Sequence, residues 1–169
     1  MASPRNVLRN CTINVDGRGY AGQVEELMLP VLEATVEDFR GGGMDGPIGI
    51  QMGMEKLTAS FSLISFDRDV LALFGMVEGS TIPLTVRGHL QSFNNDTQRS
   101  VARLRGQIRK MDPGTWKPGQ KPTLSIELDL VRYSLTVGGE TVHDIDVENS
   151  IRIVNGFDQL EEMRNSLGI

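Results

Sequence analysis

The chain has 169 residues, enough to bury a hydrophobic core within one domain without disulfides or bound metals. Its formal net charge of −5 argues against a protein whose main task is to grip nucleic acid, because phosphate contacts require an excess of lysine and arginine. Cys11 is the only cysteine and no apolar run reaches the roughly 20 residues of a membrane helix, so we expect no intrachain disulfide, a reducing intracellular compartment and no membrane anchor.

The start of the chain alternates apolar and polar residues, which predicts short β-strands. Thr12 to Val15 is the first of them, and Asp16-Gly17-Arg18-Gly19 follows with the residues of a tight turn. Val24 to Leu29 is the expected next strand. After Pro30, the segment from Leu32 to Glu37 alternates again and predicts a strand with one apolar and one acidic face.

A segment rich in glycine and methionine follows, which is typical of a protruding hairpin arm at about residues 40–55. Its isoleucines and methionines lie on an element too thin to bury them, so we expect a partner surface, supplied by another copy of this chain. The alternative is that they fold back onto their own core, although Gly49 and Gly53 weaken a packed strand. The residues expected to contact a neighbouring subunit or ring are Arg40, Gly41, Gly42, Gly43, Met44, Asp45, Pro47, Ile48, Ile50, Met52 and Met54.

Beyond the arm, alternation resumes from Lys56 to Ser62 and changes phase at Ile64, which indicates a bulge or a change of sheet. Asp67 is suited to cap a short helix that ends near Gly75. The apolar residues at helical spacing are Val70, Leu73 and Phe74.

Two strands, Ile82 to Gln91 and Arg99 to Met111, form the one basic surface that the sequence predicts. The polar face of the second strand carries Arg103, Arg105, Gln107 and Arg109. We expect the arginines to form salt bridges between neighbouring subunits. A nucleic-acid strip is the alternative, but it would need interleaved aromatic residues to stack bases.

Thr123 to Val137 is predicted as one unusually long strand of about 50 Å, at about 3.3 Å per residue. Its alternation reverses near Leu130, so a bulge there would let the strand bend between two sheets. Gly138-Gly139 then leads into a strand from about Val142 to Ile153, with an acidic face. That face carries Asp144, Asp146 and Glu148. Calcium binding there is disfavoured, because a flat strand holds same-face carboxylates about 6.6 Å apart.

The tail from Asn155 to Gly168 is predicted to be a closing amphipathic helix. Its apolar stripe consists of Phe157, Leu160, Met163 and Leu167. Together these patterns predict a mainly β fold of two packed antiparallel sheets, as a sandwich or a partly closed barrel, with one short internal helix and a C-terminal helix. Uniform composition without repeats or linkers predicts a single domain over residues 1–169.

No pattern in the sequence indicates catalysis or a cofactor. The glycine cluster lacks the lysine and the serine or threonine of a phosphate-binding loop, and no G-x-S-x-G motif occurs. His89 and His143 lie on predicted strands without matched partners. We therefore expect a structural protein and not an enzyme, with no cofactor and no metal. A small-molecule-binding β-barrel is the alternative from another class, but no polar cluster within an apolar pocket is evident.

Short motifs occur in a fixed order along nearly the whole chain. In the first two thirds they are Asp16-Gly17, Ala21-Gly22, Leu29-Pro30, Arg40 to Asp45 with Pro47, Met52 to Glu55, Phe74-Gly75 and Arg105-Gly106. In the last third they are Asp112-Pro113-Gly114, Trp116-Lys117, Gly119, Ile145-Asp146, Asn149, Asn155-Gly156, Asp158-Gln159-Leu160, Met163-Arg164 and Leu167-Gly168. This set resembles the major tail tube proteins of contractile-tailed phages and of the related R-type bacteriocins.

The resemblance implies a non-catalytic subunit of hexameric rings that stack into a hollow tube inside a contractile sheath. Such a tube is driven through the bacterial envelope and conducts DNA or, in a headless particle, depolarises the membrane. The implied partners are other copies of the chain, the tail sheath protein outside, tape-measure protein and DNA transiently in the lumen, and the baseplate hub and tail terminator at the ends. Assembly in the host cytoplasm and a place in a virion tail or phage-tail-like particle follow. The alternative is a tube ring protein of a related contractile secretion syringe.

A passage for DNA should repel phosphate, so under this resemblance we predict that an acidic or neutral strand face lines the lumen. The candidates are Glu33, Thr35, Glu37, Thr58, Ser60 and Ser62. The basic row of Arg103, Arg105 and Arg109 is predicted to lie away from the lumen, at a subunit boundary or under the sheath.

Overall fold

A computed structural model of the chain describes residues 3–75 and 77–169, and these are mainly β-structure. The strands are β1 (Val7–Val15), β2 (Arg18–Gly19), β3 (Val24–Met28), β4 (Ala34–Phe39), β5 (Ile48–Met54), β6 (Thr58–Leu63), β7 (Ile82–Gln91), β8 (Thr97–Asp112), β9 (Leu124–Val137), β10 (Glu140–Asp146), β11 (Ile151–Val154) and β12 (Phe157–Asp158). The helices are α1 (Arg68–Leu71) and α2 (Glu161–Leu167). Two antiparallel sheets, a short internal helix and a C-terminal helix confirm the predicted fold class; the described strands do not close into a barrel.

The main sheet branches at β9. The sheet runs in the order β12-β11-β10-β9-β8-β7-β1-β2, and β6 with β3 joins it as a side branch on β9. The first half of β9 lies between β8 and β6, whereas its second half lies between β8 and β10. One strand therefore belongs to both branches, and buried residues of both branches contribute to one core.

The predicted phase reversal near Leu130 is confirmed as a β-bulge. Arg105 pairs with Arg132 and Gly106 pairs with Leu130, so Val131 is the extra residue of β9. Alternate residues of β9 point into the core on both sides of the bulge, but in opposite phase. The inward residues are Leu124, Ile126, Leu128 and Leu130 before the bulge and Tyr133 after it. A bulge re-aims the side chains in this way because the inserted residue shifts the two-residue period by one.

Gly106 is the residue of β8 that faces this bulge. A Cβ atom at this position would lie 2.3 Å from the carbonyl oxygen of Asp129 and 2.8 Å from Cδ2 of Leu130. Such distances are far inside van der Waals contact, so the close approach of the two backbones requires glycine. This gives the Arg105-Gly106 motif a structural reason.

Helix α1 follows β6 in the chain and contributes one residue, Val70, to the core. Asp67 is its N-cap, as predicted, and its Oδ1 accepts a hydrogen bond of 2.8 Å from the amide of Asp69. Val70 is fully buried. The helix is shorter than predicted: it ends at Leu71, so Phe74 lies beyond it and is 54% exposed.

Two predictions for the last third are wrong in their boundaries. The strand predicted from Val142 to Ile153 is two strands, β10 and β11, which a turn at residues 147–150 joins. The helix predicted from Asn155 is confined to α2, because Asn155-Gly156 forms a turn between β11 and β12 with φ angles of 51° and 83°. Asn-Gly with both residues at positive φ is a hairpin turn, and that local preference overrides the helical spacing of the apolar residues.

Candidate functional site

The arm is a hairpin that stands apart from the main sheet. Its strands β4 and β5 pair only with each other among the described strands, from Ala34 opposite Met54 to Phe39 opposite Ile48. Five large apolar side chains of the hairpin are between 43% and 60% exposed. They are Val36, Phe39, Ile48, Ile50 and Met52. Met54, at the base, packs against the core. A lone two-stranded sheet is marginally stable in water, so this element needs an external surface.

The glycine-rich loop at the tip of the arm closes on itself. The amide of Met44 donates to the carbonyl oxygen of Gly41 at 3.2 Å, and the Gly41 amide lies 3.2 Å from the sulfur of Met44. Nε of Arg40 donates to the Met44 carbonyl oxygen at 3.2 Å. Gly43 has a φ of 85°, which favours glycine. Met44 therefore organises the loop from within.

The two faces of the hairpin differ in chemistry. Cross-strand pairing places Glu37 and Phe39 on the same face as Ile50 and Ile48. The opposite face carries Val36, Asp38, Gly49 and Gln51. Glu37, a predicted lumen residue, therefore shares a face with the apolar residues that were predicted to contact a neighbour.

The six predicted lumen residues do not form one surface. Thr35 lies on the hairpin, where its hydroxyl donates to Oε1 of Glu55 at 2.9 Å, and Glu33 directly precedes β4. Thr58, Ser60 and Ser62 lie on β6, opposite Asp129, Glu127 and Ser125 of β9. Thr58 is exposed and Ser60 is half-buried, whereas Ser62 is only 7% exposed within its own subunit.

Arg109 belongs to an ion-pair cluster within its own subunit. Its guanidinium contacts Glu127 at 2.8 Å and Asp129 at 3.4 Å. Lys56 and Lys110 contact the same two carboxylates, at 2.5 Å and 3.8 Å. Because Glu127 and Asp129 stand opposite Ser60 and Thr58, the structure brings Arg109 beside the β6 residues, two groups that were assigned to different surfaces.

Arg103 and Arg105 differ from Arg109 in having no ion pair within the described part of the chain. Both are exposed, and Arg105 stands directly opposite Arg132 of β9, whose guanidinium lies 3.5 Å from Asp144. Like charges in directly opposed positions repel each other. These two arginines are therefore the members of the basic row that are available to an acidic group on another molecule.

Of the three acidic residues predicted to share one strand face, Asp144 and Asp146 lie two residues apart on β10 and share a face, whereas Glu148 lies in the turn that follows. Asp146 is 9% exposed, and its carboxylate accepts hydrogen bonds from the amide and the side chain of Asn149 at 3.1 Å and 2.8 Å. Burial by itself raises the pKa of Asp146, but the hydrogen bonds from Asn149, the nearby Arg132 and the amide of Glu148 together hold the pKa below its usual range. Asp144 faces Arg132, and Glu148 lies in the turn. Asp146 and Asn149 thus serve as a turn cap.

Arg164 anchors α2 to the preceding turn and strand. Its guanidinium contacts the carboxylate of Asp158 at 2.6 Å and donates to the carbonyl oxygen of Ser150 at 2.7 Å. Asp158 also accepts from the amide of Leu160 at 3.0 Å. The hydrogen bond from Arg164 holds the pKa of Asp158 below its usual range. The Asp158-Gln159-Leu160 and Met163-Arg164 motifs therefore build one clamp.

Replacement of Asp158 with asparagine is expected to destabilise the subunit at neutral pH and to change its acid sensitivity. A carboxyl whose pKa is lower in the folded state stabilises the fold above its unfolded pKa of about 4, and this contribution is lost as the pH falls through the folded pKa. The urea midpoints of the two proteins should therefore differ at pH 7 and converge below about pH 4. Asp45→Asn is the control, since Asp45 forms no ion pair within the described residues. A constant difference at all pH values would contradict the role of the Asp158 charge.

The sequence did not reveal that the C-terminal apolar stripe is uncovered. Phe157 is 72% exposed, Met163 41% and Leu167 63%. Near them a groove of about 640 Å³ opens between the base of the arm and the segment from β10 to α2. The helical spacing of the stripe was the available signal, but spacing alone does not tell an internal core from a partner surface.

No helix in residues 3–75 and 77–169 is long and apolar enough to cross a membrane.

The model of the family described as phage tail tube protein FII matches residues 5–168 of this chain. The tail tube protein of Escherichia phage P2 is 30% identical over 175 aligned positions, covering 100% of both chains. The major tail tube protein of Serratia phage KSP20 is 28% identical and covers 89% of this chain and 88% of the relative.

A likeness in fold extends to a solved structure. A chain of the sheath-tube complex of an extracellular contractile injection system (PVC), in its extended state, aligns with a TM-score of 0.57 at 7% identity, covering 75% of this chain and 88% of that chain. At this low identity the likeness concerns the fold alone, whereas the family match covers nearly the full length of the chain. The chain belongs to the phage tail tube protein FII family and is a structural subunit of a tail tube, not an enzyme.

Proposed function

We propose that the chain assembles into hexameric rings that stack into the hollow inner tube of a contractile tail. A sheath surrounds the tube, and contraction drives the tube through the bacterial envelope so that DNA can pass. The arm carries this proposal: it presents apolar side chains that the described residues of its own subunit leave about half exposed. A copy of the same chain is the partner that a self-assembling tube supplies.

Open strand edges support a ring closed by pairing between subunits. Strand β1 has β7 on one side, but β2 covers the other side only at Asn14 and Val15. Strand β3 pairs only with β6 among the described strands. Unpaired edges recruit further strands, and a closed ring removes them. Ladder hydrogen bonds around the ring would give the tube the stiffness that it needs to transmit thrust.

The face of β6 remains our candidate for the channel lining. Thr58 and Ser60 are neutral, and the nearby cations Lys56 and Arg109 are neutralised by Asp129 and Glu127. Such a surface offers DNA no unpaired positive charge. Glu37 is less suited to this role because it shares the face of Ile48 and Ile50. Arg103 and Arg105 stay assigned to a subunit boundary or the sheath-facing side.

Substitution of Thr58 and Ser60 with lysine is expected to slow DNA release while tubes still form. Added lysines in the channel would hold phosphate groups during passage, and the effect should weaken as the salt concentration rises. The measurement is the rate of DNA release from particles triggered in vitro, with Thr58→Gln and Ser60→Gln as the neutral control. If particles assembled from the lysine variant release DNA at an unchanged rate, the assignment of β6 to the lumen is wrong.

Electron microscopy of the purified protein at high concentration tests the function itself. Straight hollow tubes or six-fold rings are the expected result. A protein that stays monomeric at all concentrations and carries a bound metabolite would contradict it.

We also propose that residues 1–169 act as one tube domain, with the arm at about residues 40–55. Its further partners would be tape-measure protein in the lumen and hub and terminator proteins at the tube ends.

The second candidate is the tube of a contractile syringe that delivers proteins or, as a headless particle, depolarises a membrane. The likeness in fold to the chain of an extracellular contractile injection system favours keeping it. Both candidates share the same subunit contacts. Micrographs of intact particles distinguish them, since a DNA-filled head is expected only for a phage tail. For the phage, subunits would assemble in the host cytoplasm and end in the virion tail.

A further inference from the structure

We propose that the groove beside the base of the arm receives the tip of the arm of another copy of this chain. Each subunit would then carry both halves of one head-to-tail contact. The inference rests on the proposed tube function and identifies the receiving surface for the arm.

The groove lies where the two branches of the main sheet separate. Leu57, Leu130 and Ile145, each nearly fully buried, form its floor at the point where β6 and β10 part from β9. Met54 of the arm base lines one side and Met163 of α2 lines another. Methionine side chains adapt to an irregular partner, so these walls suit an inserted apolar segment.

A subunit cannot fill this groove with its own arm tip. The ladder between β4 and β5 is paired from Ala34 and Met54 at the base to Phe39 and Ile48 near the tip. Six strand positions hold the tip about 20 Å from the base, at about 3.3 Å per residue. Because the base itself lines the groove, reaching it with the tip would require breaking the ladder. An arm tip that fills the groove must therefore come from another copy of the chain.

The arm of a second copy has the chemistry that the groove requires. Its exposed face presents Phe39, Ile48 and Ile50. Arg152 on the groove wall forms no ion pair within the described part of the chain. The arm carries the acidic residues Asp38 and Asp45, which likewise have no ion pair there. Apolar insertion and an ion pair at the wall would thus be satisfied by one segment.

The symmetry of this contact also suits a tube. The arm and the groove are different surfaces, so the contact is heterologous, and such contacts generate rings or open-ended stacks. A stack would leave a free arm at one end and a free groove at the other. Growth can then continue with identical subunits, which is the property that a tube of many rings requires.

Cysteine crosslinking tests the contact directly. In a Cys11→Ser background, subunits carrying Ile48→Cys are mixed with subunits carrying Val147→Cys, assembled and treated with a short bismaleimide. Val147 lines the groove and is 58% exposed, so both substitutions are at surface positions. Phe93→Cys, at a 76% exposed apolar residue in another turn, replaces Val147→Cys in the control mixture. We expect about tenfold more mixed dimer with Val147→Cys, because the contact raises the effective concentration of the two thiols.

Two results would overturn the inference in different ways. Tubes that form while Ile48→Cys crosslinks equally to both partners, or only to a second Ile48→Cys, would show that the arm docks elsewhere and leave the tube function intact. Folded subunits that form neither tubes nor rings would contradict both the proposed tube function and this contact. Electron micrographs of each crosslinked sample separate the two cases.

Discussion

Substitution of both Ile48 and Ile50 with aspartate is expected to abolish tube assembly and to leave the subunit folded. Fully burying one isoleucine side chain contributes about 1.5–3 kcal/mol. Ile48 and Ile50 are already about half buried in the free subunit, so the loss of both weakens each arm contact by about 1.5–3 kcal/mol, or about ten- to a hundredfold. Buried carboxylates without partners weaken it further. Within the subunit the two side chains are 52% and 43% exposed, so the free energy of unfolding should change by no more than about 1 kcal/mol.

The measurements are sedimentation or negative-stain microscopy for assembly and urea unfolding for the subunit. Val36→Asp is the matched control, because it replaces an apolar residue of similar exposure with the same charge on the opposite face of the hairpin, and Val36 does not line the groove. We expect the control to assemble. If the double variant still forms tubes, or if its subunit no longer folds, the apolar face of the arm is not the contact surface that we propose.

Replacement of Gly106 with alanine is expected to cause a large loss of subunit stability. The new Cβ would lie 2.3 Å from the carbonyl oxygen of Asp129, so β8 and β9 would have to move apart at the bulge. Overpacking typically costs about 1–3 kcal/mol, and a clash with a backbone atom belongs at or above the upper end of that range. The bulge also sets which residues of β9 face the core. Urea unfolding of the unassembled subunit measures the effect.

Gly42→Ala is the comparison for this prediction. Gly42 lies in the arm loop, where an added Cβ meets no atom within 4 Å. The free energy of unfolding of the Gly42→Ala variant should therefore be unchanged, or higher by up to about 1 kcal/mol, because alanine restricts the unfolded chain more than glycine does. Equal stability of the Gly106 and Gly42 variants would contradict the role assigned to the bulge.

Much of the fold was accessible from local patterns. Alternation located the long strands to within a few residues, and the phase reversal near Leu130 predicted the bulge from local pattern alone. The Asp67 cap was also visible, since an N-cap is satisfied by residues next to it in sequence. The errors arose where two local signals competed. At Asn155-Gly156 the hairpin turn prevailed over apolar residues at helical spacing, and at residues 147–150 the cap formed by Asp146 and Asn149 ended a strand that alternation would continue.

The candidate site was predictable only in part. The hairpin and its apolar residues follow from glycine content and alternation, and the motif order led to the tail tube family. Which residues share a surface did not follow, because that depends on strand register across the sheet. Register placed Arg109 beside Thr58 and Ser60 and put Glu37 on the face of Ile50. It also left Arg103 and Arg105 without an ion pair among the described residues.

The sequence by itself determined that this chain is a β-rich, non-catalytic tube subunit with a protruding arm, because period, turn residues and motif spacing are local properties of the chain. Only the tertiary structure decided where β9 passes from one branch of the sheet to the other, why position 106 must be glycine, and that a groove opens at the base of the arm. These features depend on the approach of segments that are distant in sequence, such as Leu57 with Leu130 and Gly106 with Asp129. Contacts of this kind are set by packing and register, which no single stretch of the chain encodes.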